Sequence, residues 1–383
     1  MDIEQRHWIP EARWPPAAAP APLAQPAELL FAFGGTGLLD PARFQRLREL
    51  YPEALIVGCS TAGEIHGTAV HDDTLAMTAI RFSKTRLRLA TAHVAAPAES
   101  GSAGAALARQ LSAGDLVHVL LISDGLKVNG TELVDGLKSA LPERVAVTGG
   151  LSGDGARFQR TLVMADAAPA EGVIAAVGFY GENLQVGYGS LGGWDPFGPD
   201  RRITRAAGNV LYELDGESAL SLYKRYLGEH AAALPAAGLL FPLALRATPG
   251  SGSGRSGLVR TILAVDEADQ SMTFAGDMPV GMYARLMKAN FDRLVAGASG
   301  AAQASQETLG TVTPQLALLI SCVGRKLVLQ QRIEEEVESV REVLGPAAAL
   351  TGFYSYGEIS PYAPTAKCEL HNQTMTITTF AET

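Results

Sequence analysis

Residues 54–65, ALIVGCSTAGEI, set the pattern for reading this chain, because it recurs at 145–155, VAVTGGLSGDG, and at 348–359, AALTGFYSYGEI. Each copy runs as a short apolar strand into a glycine. A serine follows two or three residues later, and then a glycine followed by an acid, giving Glu64, Asp154 and Glu358. Upstream of each copy stands another short apolar run ending in a polar or glycine-containing turn: ELLFAFGGTG (28–37), HVLLISDGLK (118–127) and LALLISCVGRK (316–326). Between the two runs the periodicity is helical. Asp40 and Pro41 form a cap and first-turn pair ahead of Phe44, Leu47 and Leu50/Tyr51. Leu133, Val134, Leu137 and Leu141 make the second stripe, and Ile333, Val337, Val340 and Leu344 the third. The neighbouring Glu334, Glu335, Glu336 and Glu338 are expected to face water. After each acid come hairpin-like strands with partial alternation, such as TLAMTAIRF, TLVMADAAPAEGVIAAVGFYG and CELHNQTMTITTF. A strand, helix, strand and hairpin used repeatedly predict an α/β (mixed α+β) chain, with mixed sheets covered by helices and two related domains.

Glycines after a strand permit close backbone approach and positive φ, so such turns can present bare N–H groups at the end of a sheet, where ligands collect. Cys59, Ser60, Thr61, Gly63 and Glu64, with Gly150, Ser152 and Asp154, are therefore candidate ligand-binding residues, and Glu358 is the acid of the third copy. The plainer reading is that the glycines serve turn geometry alone.

The chain has 383 residues, 47% hydrophobic, and a net charge of −9 with no clustered Lys/Arg patch, so nucleic acid is not an expected partner. No apolar run is long enough to span a bilayer and the start carries no export signal, which predicts a soluble protein. Three cysteines, Cys59, Cys322 and Cys368, without C-x-x-C spacing fit a reducing cytoplasm. Residues 1–26, with the Pro/Ala-rich run 10–27, read as a flexible and dispensable arm, and the Gly/Ser-rich 246–257 as a mobile loop. The segment 192–228, opening on GGWDPFG, reads as a junction between domains spanning 27–215 and 216–383.

A nucleophile elbow needs G-x-S-x-G, and Gly58-Cys59-Ser60-Thr61-Ala62 places the next glycine one residue late. A cysteine- or acid-dependent hydrolase using Cys59, with His66 or His71 near in sequence, is the competing reading. None of the seven histidines has metal-ligand spacing. His371 alternates with Glu369 and Gln373 on a strand face that reads as lining a wet cavity or a surface, and His230 as a helix cap.

The motifs GCSTAGEI, TGGLSGDG, GGWDPFG, NVLYELDGESALSLYKRYLG, SCVGR and GFYSYGEISP…LHNQTM resemble the FIST proteins, which pair an N-terminal and a C-terminal FIST domain. The resemblance runs from about Ala27 to Phe380. It implies a non-enzymatic sensor of a small molecule or gas, and it adds Arg325, Tyr354, Tyr356, His371 and Asn372 to the ligand-binding set. A stand-alone two-domain chain of this kind is similar to the bacterial nitric-oxide-sensing haem proteins of the NosP group. That likeness implies haem as cofactor and a histidine kinase as partner, with His66 or His371 as axial ligand to the metal and His230 in reserve. Haem enters through architecture and not through a motif. Homo-oligomer formation is compatible with this reading.

Overall fold

The structure is a computed structural model that describes all residues except 11–22, 24, 235, 248–257 and 362–367. Its first repeat comprises β1 (Asp2–Trp8), β2 (Leu29–Gly34), α1 (Pro41–Leu50), β3 (Leu55–Ser60), β4 (Glu64–His66), β5 (Ala69–His71) and β6 (Leu75–Arg81). The second comprises β7 (Arg86–His93), α2 (Ser100–Leu111), β8 (Leu116–Ser123), α3 (Gly130–Ala140), β9 (Ala146–Leu151), β10 (Val163–Ala165) and β11 (Val173–Tyr180). The third opens with β12 (Leu184–Leu191). It is then interrupted by an insert: β13 (Asp195–Ala207), β14 (Val210–Leu214), β15 (Glu217–Ser218), α4 (Ala219–Leu227), β16 (Leu243–Arg246), β17 (Leu258–Arg260), β18 (Ile262–Asp266), β19 (Ser271–Phe274) and β20 (Tyr283–Lys288). It resumes with α5 (Phe291–Leu309), β21 (Leu316–Cys322), α6 (Val323–Leu329), α7 (Ile333–Leu344), β22 (Ala349–Ser355), β23 (Gly357–Pro361), β24 (Cys368–His371) and β25 (Met375–Glu382).

Each repeat builds the same sheet. A central strand pairs in parallel with the strand that carries the turn (β2/β3, β8/β9, β21/β22), as a crossover helix demands. It pairs antiparallel with the repeat's last strand, which in turn holds the edge strand β1, β7 or β12. The strand after each turn leaves its own sheet. β4 adds to β22, β23 adds to β9, and β10 adds to β3, so the three repeats exchange strands in a closed cycle. The inner sheet faces meet in one core of Phe31, Phe33, Leu120, Ile122, Leu318, Ile320, Phe353 and Phe380. Val119, Leu121, Ala317 and Leu319, one residue out of phase, face the helical layer. Burial on both faces is why these strands read as unbroken apolar runs.

The glycine that ends each repeated run has a packing cause. A Cβ on Gly58, Gly149 or Gly352 would lie 1.8, 1.9 or 1.8 Å from the carbonyl oxygens of Ala32, Leu121 and Leu319 on the paired strand. In the third repeat, Gly187 and Gly189 likewise let α5 ride on β12, with virtual Cβ atoms 2.2 Å from the Ser305 and Ala301 carbonyls.

Two expectations are corrected here, the arm at residues 2–8 and the exposure of Glu336. Residues 2–8 are not an arm but edge strand β1, in seven-residue register with β6, and Trp8 is buried. The Pro/Ala run falls largely outside the described residues, as does most of 246–257. The boundary at 215/216 falls in the turn between the paired strands β14 and β15, and the segments on either side of it share three of the four sheets. Glu336 does not face water. It is buried, because its position three residues after Ile333 and four before Val340 puts it on the apolar stripe, where Arg325 compensates its charge. The Asp40 cap and the α3 and α7 stripes stand as read, and on α1 the stripe is carried by Leu47 and Tyr51 with Phe44 half-buried, while Leu50 is exposed. No helix of the described residues is long and apolar enough to cross a membrane.

Candidate functional site

The repeated turns meet at the junction of the three sheets and close on one another. Ala62 N–H donates to Tyr354 O at 2.8 Å, Tyr354 N–H to Gly63 O at 2.8 Å, Gly153 N–H to Ser60 O at 2.9 Å and Gly155 N–H to Thr61 O at 3.1 Å. The N–H groups expected to be bare are thus taken by neighbouring turns. The side chains are equally engaged. Ser60 Oγ accepts from Leu162 N–H, and Ser152 Oγ from Gly125 N–H. Asp154 accepts from the N–H groups of Phe158, Gln159 and Arg160 and from the Tyr356 hydroxyl. Gly150 pairs with Glu358 between β9 and β23, and Asn372 Nδ2 donates to Tyr356 O at 3.5 Å.

Glu64 and Glu358 make equivalent latches. Glu64 accepts from the Thr61 hydroxyl and from the N–H and hydroxyl of Thr74; Glu358 accepts from Ser355 Oγ (2.6 Å) and from Thr374 N (3.2 Å) and Oγ1 (2.9 Å). Each acid so ties its turn to the start of its repeat's last strand. Burial, the strongest influence, pushes Glu358 up to about 8 and Glu64 to about 7 against those donors. The folded chain therefore keeps a proton on Glu358 that the unfolded chain releases near 4.5, and this contribution to stability is lost as pH rises from about 4.5 to about 8. Urea unfolding of Glu358→Gln beside wild type across that window should show the gap moving in favour of Gln by on the order of 1 kcal/mol per pH unit. A gap that does not change with pH contradicts the assignment.

Arg325 is the largest wholly buried side chain. Its Nη2 and Nε hold Glu336 Oε2 at 2.7 and 3.1 Å, Nη2 also donates to Leu294 O at 2.7 Å, and Nη1 donates to Gly192 O. Tyr354 OH adds a 2.6 Å bond to Glu336 Oε1. Arg325 and Tyr354 thus tie β22, α6 and α7 to the start of α5 and the end of β12.

That tie backs onto a cavity of about 630 Å³ between α5 and the insert. Leu191, Gly192, Gly193 and Trp194 line it from the end of β12, Arg293, Ala296, Gly297, Gly300 and Ala304 from α5, Ala244, Arg246, Val259 and Met287 from the insert, and Thr374 from the start of β25. Trp194 is fixed by its indole N–H, which donates to Gln373 O at 2.8 Å. Gln303 and Glu307 complete the α5 side, so the lining mixes apolar side chains with Arg246, Arg293, Gln303, Glu307 and Thr374, and the volume is that of a small-molecule site. None of the residues singled out from the turns lines it. The GGW run and the Thr374 of HNQT do; the lining residues from the insert and from α5 were not singled out as site residues in the sequence.

A FIST N domain model matches residues 28–217, and a FIST C domain model matches residues 219–361. The chain belongs to the FIST family. FIST domains are small-ligand-sensing domains in signal transduction, and the cavity lies where the two matched segments of this FIST chain meet, with Thr374 beyond both. No curated protein matches. A cyanuric acid hydrolase from A. caulinodans is similar at 12% identity over 78% of this chain and 99% of its own, with a TM-score of 0.21, a likeness too slight to carry an argument.

The residues present do not fit haem in this cavity, since no histidine lines it. His371 is buried between strands, not beside a wet cavity; its Nε2 lies 2.8 Å from Ser360 O, and burial lowers it to about 4. The rings of His66 and His71 stack on that of His7 at 5.3 and 4.1 Å between centroids, so the structure gathers three imidazoles that the sequence left apart. Among the described residues no group of three His, Cys, Asp or Glu is placed to hold a metal ion. His230 is exposed beside Phe241. Cys59 is wholly buried in β3, and desolvation raises its thiol well above the ordinary range.

Proposed function

We propose that this FIST chain is a non-enzymatic sensor whose small ligand occupies the cavity between α5 and the insert. The observation that carries the reading is the convergence of two separate FIST-like motifs, Gly192-Gly193-Trp194 and Thr374, on one wall of that cavity. Both motifs connect it to the buried junction: Gly192 O and Leu294 O are acceptors of Arg325, and Thr374 holds the Glu358 latch. A ligand that moves α5 against the end of β12 must strain these bonds, which is a physical route from binding to a change at the meeting point of three sheets. A histidine kinase as the receiving partner is carried over from the resemblance. Haem and nitric oxide are not part of this proposal. The hydrolase alternative finds no support in Cys59, a thiol without access or charge stabilisation.

The test is a thermal-shift screen of a metabolite library on wild type and on Ala296→Trp. Ala296 is exposed on the cavity side of α5, so the indole should fill space without disturbing the core. Compounds that raise the wild-type Tm are expected to lose their effect in the variant, while its own Tm stays within a few degrees. Equal stabilisation of both proteins would reject the cavity as the site.

A further inference from the structure

We infer that the loop between β9 and β10 is a docking surface for a partner protein, built around Phe158 and seating an acidic segment that carries an apolar side chain. This goes beyond the cavity and stands whether or not the ligand binds there. It begins with a departure from the repeat. Glu64 and Glu358 tie their turns to the start of the last strand, whereas in the second repeat Asp124 makes that tie, accepting from Gly172 N–H at 2.8 Å just before β11. Asp154 is left to hold a surface loop. It accepts from Phe158 N–H at 2.8 Å and from Gln159 and Arg160 N–H at 2.9 Å. Those bonds fix Phe158 at a φ of 53°, in the left-handed region that a bulky side chain enters only at a cost. The other six non-glycine residues with positive φ among the described residues are all Asp or Gln, so Phe158 is the apolar exception. The strain is not repaid by burial: the ring stacks on Tyr356 at 4.3 Å, yet Phe158 is 37% exposed. A strained aromatic held rigidly at the surface points to contact with another molecule. The adjoining loop 124–129 widens the apolar ledge with Leu126, also exposed. It is fastened there by Gly125 N–H, which donates to Ser152 Oγ and Thr161 Oγ1 at 3.1 and 3.2 Å, and a Cβ on Gly125 would lie 3.1 Å from the Tyr356 ring.

The charges set the partner's chemistry. Asp124 and Asp154 are buried, so the two loops expose Lys127, Arg157 and Arg160 and no acid, on a chain whose net charge is −9. Glu171 answers Lys127 at 2.9 Å and Arg160 at 3.0 Å, while Arg157 has no ion-pair partner among the described residues. An aromatic anchor rimmed by cations is complementary to an apolar side chain flanked by carboxylates, and aromatic and Arg side chains carry most of the energy at protein interfaces. Three cations, two of them already paired, are few for a phosphate backbone.

A random-peptide phage library panned on the immobilised full chain supplies the probe, and the synthesised consensus peptide is then titrated by fluorescence polarisation. The consensus is expected to set two or more Asp or Glu beside an aromatic or aliphatic residue. Its affinity should fall about tenfold or more in Phe158→Asn and in Arg157→Glu, and should weaken as salt is raised. Asn tolerates the left-handed backbone, so relief of strain offsets the lost ring stack, and the Tm of Phe158→Asn should stay within about 3 °C of wild type. A larger fall in that Tm makes Phe158 a packing residue and overturns the proposal. So do a library without an enriched sequence, a neutral or basic consensus, or a peptide that binds both variants as it binds wild type. Preference for an oligothymidylate or for phosphatidylserine vesicles over the peptide, lost in Phe158→Asn, would give the surface to another class of partner and overturn it as well.

Discussion

Arg325→Met is expected to lower the folding stability by about 3–5 kcal/mol, the cost of leaving one member of a buried ion pair uncompensated. Both partners of the Arg325–Glu336 pair are wholly inaccessible to water. Without the guanidinium, Glu336 keeps only the Tyr354 and Ser321 hydroxyls as donors, and the carbonyls of Gly192 and Leu294 lose theirs. The double variant Arg325→Met/Glu336→Leu removes the stranded charge and should recover a substantial part of the loss, because an apolar pair of similar volume often replaces a buried ion pair at little cost. Urea denaturation of the three proteins measures this. A single variant within about 1 kcal/mol of wild type, or a double variant worse than the single, would contradict the role assigned to Arg325.

The second large effect concerns the first eight residues. Trp8→Ala should cost about 3–5 kcal/mol, the range for emptying a buried aromatic site. Trp8 packs with Ala27, Leu30, Ala32, Leu39 and Met77, with the Arg43 guanidinium 5.2 Å above its ring. Removing residues 1–8 altogether also strips β1 from one side of β6, from Leu75 to Arg81, and leaves β6, still paired with β2, as an open apolar edge. The truncated chain is expected to aggregate or to lose cooperative unfolding. An unchanged Tm for either protein would return these residues to the role of an arm.

The fold was legible wherever its cause is local or repeated. Three apolar runs closed by glycine, the stripes of α3 and α7 and the Asp40 cap follow from periodicity and turn chemistry and lie where they were read, while on α1 Leu50 of the stripe faces out. What stayed hidden depends on distant partners. The exchanged strand β4 is three residues long, Glu64–His66, and nothing in so short a run says that it pairs with residues 351–353. β1 is polar and mixed in pattern, DIEQRHW, so its place beside β6 is decided by the partner's edge and by Trp8. Glu336 reads as one of four surface acids until Arg325, eleven residues earlier, is brought to face it.

The site divides the same way. The turns drew attention as clusters of glycine, hydroxyl and acid, and in the fold those features satisfy each other: a backbone donor in one turn meets a carbonyl in the next. The cavity is built from side chains scattered between residues 191 and 374, and only Gly192, Gly193, Trp194 and Thr374 belong to a motif visible in the sequence. Arg246 and Met287 come from an insert without repeat partners, so no second copy points to them.

The measurement that bears most directly on the sensor reading is hydrogen–deuterium exchange of the full chain with and without a compound that raises its Tm. Slowed exchange is expected in three stretches: the end of β12 through Trp194, the first three turns of α5, and β20 around Met287. The repeated turns at 60–64, 152–154 and 355–358, already closed by hydrogen bonds within the chain, should exchange slowly in both states. Protection confined to those turns, with α5 and the insert unaffected, would place the ligand at the sheet junction and contradict the account.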